Sequence, residues 1–232
     1  MCFFIDRSLN ILKWPTAVAL LLCSPELMTV FVAAFNQVLG PGWILFWMGA
    51  VVYLLIWKLV FSARLWGSWL PTFIHELNHA VVAILTLHRI SDFHASYRRG
   101  GHVRYVGGEG NWLITIAPYV VPTLSLSCGC TRVFFEDQSL FWFAFGAALG
   151  FDAICVWREC HREQTDLKEL GLLFSLLVVP LLNIVVLSCI FLWMDGGLSD
   201  VMVFLHELLN ASLSRAAEAA YVLYSSLSNS SL

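Results

Sequence analysis

Charge is the scarcest property of this 232-residue chain: Asp, Glu, Lys and Arg make up 12% of it, against about a quarter in a soluble domain. With 59% of residues hydrophobic, that deficit excludes an ordinary soluble globular protein. A basic excess is missing too. Thirteen Lys and Arg against sixteen Asp and Glu give a net charge of −3, which leaves no electrostatic footprint for nucleic acid. The seven cysteines contain no CxxC pair, and the one close pair, Cys128-Gly129-Cys130, has a spacing unusual for zinc. They read as small hydrophobes within apolar surroundings. No small-x-small cleavage site follows the apolar run behind Arg7 and Lys13, which argues against a removable signal peptide. Repeats and low-complexity tracts are absent as well.

What is present in quantity is apolar sequence in blocks of about 20 residues, the length that crosses a bilayer as helix. Blocks near 15–37, 42–63, 66–88, 112–131, 139–158 and 169–194 predict an all-α polytopic membrane protein with five to six transmembrane helices. Ten Trp and seventeen Phe fit lipid-facing surfaces with aromatic belts. The first block carries Glu26 in its middle, and Ser24-Pro25-Glu26 reads as an N-cap with Pro at the first helical position. A kinked or re-entrant first segment is therefore expected. Between Arg89 and Asn111 lies the one long polar excursion. Its run Gly100-Gly101-His102-Val103-Arg104-Tyr105-Val106-Gly107-Gly108 predicts a short glycine-bracketed strand or hairpin. Residues 199–226 read as an amphipathic interfacial helix. The whole is expected to be one membrane domain over 1–232: an N-terminal segment to 40, a transmembrane core over 41–195, and a C-terminal helix and tail over 196–232.

If every block from 42–63 onward crosses, the loops at 89–111 and 159–168 share a side. That side holds Arg89, Arg98, Arg99, Arg104, Arg158, Arg162 and Lys168, against Arg64 and Arg132 opposite. The bias toward positive residues then makes the 89–111 face cytoplasmic.

The residues with chemistry to offer are His75-Glu76-Leu77-Asn78-His79. Histidines four apart on a helix project from one face, so both imidazoles can hold one zinc ion while Glu76 polarises the water on it. Zinc lowers that water's pKa to about 7, and Glu76 can take its proton and pass it to a leaving amine. Ionisable side chains in an apolar block cost several kcal/mol unless paired or metal-bound, and a divalent cation compensates all three. By contrast His206-Glu207-Leu208-Leu209-Asn210 lacks the second histidine and reads as an ordinary surface pair. A catalytic zinc needs a third protein ligand. Asp152, His161, Asp166 and Asp195 are the candidates, Asp166 also being suited to capping the helix that follows. Asp166 and Asp195 stand at opposite ends of one block, so at most one of them can serve. Asn183, deep in that block, is suited to hydrogen bonding to a ligand or between helices. Pro118 and Pro122 break the bonding of the fourth block, freeing carbonyls that lipid cannot satisfy. His88, His94 and His102 read as solvated loop residues.

Over roughly residues 66–190 these pieces resemble peptidase family M50, the intramembrane zinc metalloproteases of the site-2 protease group, and in particular its small M50B-like bacterial members. The resemblance rests on Phe73-Ile74-His75-Glu76-Leu77-Asn78-His79-Ala80, the segment ending Tyr105-Val106-Gly107-Gly108, Ala117-Pro118-Tyr119-Val120-Val121-Pro122, and Gln164-Thr165-Asp166-Leu167 with Gly171, Phe174-Ser175 and Asn183. It implies Zn2+ held by His75, His79 and an aspartate from a later transmembrane helix, for which Asp166 is taken and Asp195 is the alternative. It further implies that Glu76 activates the zinc-bound water, that the substrates are membrane-embedded proteins or peptides, and that the chain sits in the lipid bilayer of a bacterial inner membrane. A zinc-binding scaffold or transporter without proteolysis is the competing expectation. Two departures stand out: Asn78 replaces a customary glycine, and the only Asp-Gly pair, Asp195-Gly196, follows Trp193-Met194 instead of Asn-Pro.

Overall fold

The computed structural model describes residues 2–61, 69–96, 100–107, 111–160 and 164–229. His161, Arg64, Arg98, Arg99, Arg162 and Gly108, all used in the sequence reading, lie outside them. In chain order the elements are α1 (Cys2–Leu22), α2 (Ser24–Leu39), α3 (Trp43–Ile56, continued by a π-helical turn Trp57–Phe61), α4 (Trp69–Leu85), β1 (Arg89–Ser96), β2 (Gly100–Val106), α5 (Trp112–Val120), α6 (Thr123–Cys130), α7 (Gln138–Glu159), α8 (Thr165–Leu170), α9 (Leu172–Gly196) and α10 (Leu198–Asn229). The protein is all-α and polytopic, with a single two-stranded antiparallel sheet among the described residues.

Among the described residues three helices are long and apolar enough to cross a membrane: Trp43–Val60, Gln138–Glu159 and Leu172–Gly196. The count rises to five if each of two bent pairs, α1 with α2 and α5 with α6, makes one span. The expected block 66–88 is the difference. As α4 it is a 17-residue helix that carries His75, Glu76, Asn78 and His79 within its length. The first block is kinked as expected, but it starts earlier and is capped by a different residue. It is helical from Cys2 and bends by 65° between Leu22 and Ser24, where Pro25 can supply no N–H to the preceding turn. The cap is Cys23 and not Ser24, whose hydroxyl bonds back to the Leu21 carbonyl (2.8 Å). Glu26 pairs with Arg215 of α10, which explains its place inside an apolar block.

Helices α3 and α7 run in the same direction, with Gly42 beside Trp142, Phe46 beside Gly146 and Ala50 beside Gly150. A Cβ on Gly49 would collide with the Phe143 carbonyl, and one on Gly146 with that of Phe46. Small residues thus let the two backbones touch, the usual way of packing helices where lipid supplies no hydrophobic drive. Because α7 ends at the cavity described below, α3 ends on that face too. This reverses the direction that α3 has if every block from 42–63 onward crosses in turn. An aromatic cluster (Phe46, Phe141, Phe145 and Phe191) fills the space between α3, α7 and α9.

The glycine-bracketed run forms β2, paired to β1 with Phe93 opposite Val103 and His94 opposite His102. Burial alternates along β2: Gly101, Val103 and Tyr105 are half-buried, while His102 and Arg104 are exposed. The hairpin packs on α4, where the Phe73 and Phe93 rings meet edge to face at 5.7 Å. After α4 ends at Leu85, Leu87 with a φ of 64° turns the chain so that the His88 N–H reaches back to the Ala83 carbonyl (2.8 Å). His88 is buried, contrary to its reading as a solvated loop residue. Its Nε2 lies 3.1 Å from Asp6 Oδ2 and its Nδ1 3.0 Å from Thr86 Oγ1. Asn111 donates to the other Asp6 oxygen (2.9 Å), and Trp112 Nε1 donates to the Leu9 carbonyl (2.8 Å). The start of α1 is thereby fixed to the end of α4 and the start of α5.

Candidate metal centre

The site is assembled from three elements that the break between α5 and α6 brings together. Pro118 has no N–H for the Ile114 carbonyl four residues back. His79 Nδ1 occupies that carbonyl at 2.7 Å. The pair bends by 72° at Val121-Pro122, leaving two more carbonyls without helical partners. Asn183 Nδ2 donates to that of Tyr119 (2.7 Å), and Asn78 Nδ2 to that of Val121 (3.2 Å). Thr123 donates to Asn78 Oδ1. The prolines therefore create acceptors and the two asparagines and a histidine fill them, which satisfies backbone groups that lipid cannot. Asn183 also bonds Val179 (2.8 Å), so both its amide protons go to backbone. Asn183→Leu leaves the Tyr119 carbonyl without its donor, at a cost of about 1–3 kcal/mol. A lowered unfolding midpoint in detergent checks this; an unchanged one contradicts the role.

Holding His79 through Nδ1 fixes its tautomer. In the neutral ring Nδ1 carries the proton and Nε2 presents a lone pair. That Nε2 lies 3.3 Å from Asp166 Oδ2, and His75 Nε2 lies 3.3 Å from the same oxygen. Lone pair facing carboxylate is repulsive unless a proton or a cation lies between them. The ligand atoms of His75, His79 and Asp166 all fall within 4.8 Å of one another. Zinc with bonds of about 2.0–2.1 Å in a tetrahedron separates its ligand atoms by about 3.3–3.4 Å, so this two-nitrogen, one-oxygen set fits the ion and leaves a fourth position. With a proton there in place of a cation, burial opposes the charge on Asp166, but hydrogen bonds from the His75 and His79 imidazoles outweigh it and hold the carboxyl well below its usual range.

The other candidates for a third ligand lie elsewhere, apart from His161, which is outside the described residues. Asp195 accepts from Gln37 Nε2 (2.6 Å) at the exposed far end of α9. Asp152 is buried and caps α6, accepting from Leu124 N (3.2 Å), Ser125 N (2.7 Å) and Ser125 Oγ (2.7 Å). Asp166 does not cap its helix: Gln164 is the cap residue of α8, and Asp166 sits in the first turn.

His75, Glu76, His79 and Asp166 open into a cavity of about 500 Å³, whose wall includes Gly101 and Glu159. Strand β2 closes over Glu76: a Cβ on Gly101 would lie 2.7 Å from Glu76 Oε1. His102, on the exposed face of the hairpin, bonds Asp92 (2.8 Å), and that bond holds the Asp92 carboxyl below its ordinary range. Pro122 and Asn183 line a separate, mostly apolar cavity of about 540 Å³. The sequence reading missed Tyr119, whose hydroxyl reaches Asp166 Oδ2 (3.2 Å), although its place between two prolines marked it. It also missed Gly101's contact with Glu76, for which a strand pattern alone holds no signal.

Fold and site together define a polytopic helical membrane protein with a buried His-Glu-x-x-His helix facing an aspartate. Residues 46–225 match the family model described as Peptidase M50B-like, and the chain belongs to that family, one of site-2 protease-like peptidases. No curated protein and no solved structure matches the chain significantly.

Proposed function

We propose that the protein is an intramembrane zinc metalloprotease that hydrolyses peptide bonds in or near transmembrane segments. The observation that carries this is the convergence of His75 Nε2, His79 Nε2 and Asp166 Oδ2, with both nitrogen–oxygen separations at 3.3 Å, beside the carboxylate of Glu76. His75, His79 and Asp166 hold zinc, which when bound supplies the acidity that brings its water's pKa near 7. Glu76 receives the proton of the attacking water and returns it to the leaving amine, so its carboxylate begins and ends the cycle ionised. Gly101 lets β2 cover Glu76 closely enough to limit bulk water around the carboxylate. The substrates are membrane-embedded proteins or peptides whose helices unwind to enter a cavity of this size.

The cavity face is cytoplasmic in this reading, and the membrane is a bacterial inner membrane. Arg89, Arg104 and Lys168 lie toward that face, and the Asp6–His88 contact brings Arg7 to it. On the far side Arg132 donates to the Met194 carbonyl at the other end of α9.

The test is cleavage of a model single-span substrate by the purified protein in detergent. Equimolar zinc, loss of cleavage on chelation and recovery with added zinc are expected. Cleavage that survives complete removal of zinc overturns the reading.

A further inference from the structure

We propose that Tyr119 is a positioning residue for the metal site: its hydroxyl anchors Asp166 in the orientation that completes the ligand set. This rests on the zinc reading above and adds a residue to it.

Asp166 has a weak frame of its own. It sits in α8, a helix of six residues that ends at Gly171, whose φ of 86° uses the backbone freedom of glycine. Helix α8 reaches the core through Leu167 and Leu170. Histidines 75 and 79, by contrast, share one longer helix. Of the three groups that converge, the aspartate is the one whose place is least determined by its own element.

Tyr119 supplies what α8 lacks. It is completely buried and held at two ends. Its backbone carbonyl accepts from Asn183 (2.7 Å), and its ring stands edge-on to that of His75 with centroids 5.7 Å apart. Its hydroxyl donates to Asp166 Oδ2 at 3.2 Å, the same oxygen that faces both histidine nitrogens. A donor fixed in this way selects one carboxylate oxygen and one rotamer, so less freedom is lost when the ligand set closes on a cation. The break at Pro122 has a second role here, because it frees the carbonyl by which Asn183 pins Tyr119.

The experiment compares zinc affinity of the full chain in detergent, by competition with a chromophoric chelator, for wild type, Tyr119→Phe, Asp166→Ala and the double variant. Phe keeps the ring and its packing. Tyr119→Phe is expected to bind zinc about 10–100-fold more weakly, while the two Asp166→Ala proteins, measured at zinc concentrations that fill the remaining two-histidine site, bind alike. Equal affinity of Tyr119→Phe and wild type overturns the proposal. So does an equal drop in both backgrounds, which would make the effect one of packing; this comparison also decides the matter if the Phe variant proves less stable. A wild-type chain that takes up no zinc overturns the metal reading itself, and this proposal with it.

Discussion

Glu76→Gln is expected to keep its zinc and to lose cleavage by about 10²–10⁴-fold, the range that a positioned general base contributes. The substitution is nearly isosteric, which matters because β2 lies against this side chain with no room to spare at Gly101. Gln keeps the shape of Glu but cannot accept the proton of the attacking water. Neither His75 nor His79 is altered, and His79 keeps its bond to the Ile114 carbonyl, so metal content measured by atomic spectroscopy should match that of wild type. Zinc retained with cleavage lost is the signature of a base. Zinc retained with cleavage unchanged would mean that Glu76 has no part in the reaction. A wild type that holds zinc and cleaves nothing would favour the scaffold or transporter alternative.

The second large effect separates the two aspartates that the sequence left in competition. Asp166→Ala should weaken zinc binding by more than the 10–100-fold that follows from loss of a supporting partner, because it removes the carboxylate oxygen that faces both imidazoles. Asp195→Ala should leave zinc binding and cleavage unchanged, since that carboxylate pairs with Gln37 at the exposed far end of α9. Zinc titration of both variants decides the issue. The reverse pattern would remove Asp166 from the ligand set.

The helical architecture was legible because apolar length speaks directly about membranes: the blocks at 42–63, 139–158 and 169–194 all became long apolar helices. The hairpin was legible through its glycines and alternation. The rest depended on pairings that no local pattern encodes. Glu26 and Arg215 lie 189 residues apart, and Asp6 and His88 lie 82 apart, so neither pairing could be read from its neighbourhood. His88 was misread for that reason, since polarity beside a loop is normally solvated. Asp152 posed a visible puzzle, a carboxylate inside an apolar helix, but its solution required knowing that α6 begins beside it. The prolines at 118 and 122 announced that carbonyls would be freed. Which side chains would take them up was settled only by the packing of α4 and α9 against α5.

The closure around Asp6 bears on where this protein begins as a physical object. The family model covers 46–225, and His88, Asn111 and Trp112 all fall inside that span. Yet a side-chain nitrogen of each finds its partner outside it, in the Asp6 carboxylate or the Leu9 carbonyl. The matched span therefore takes acceptors from a helix that lies outside it. The span that matches the family and the span that satisfies its own polar groups are drawn differently on this chain, and the second encloses the first helix.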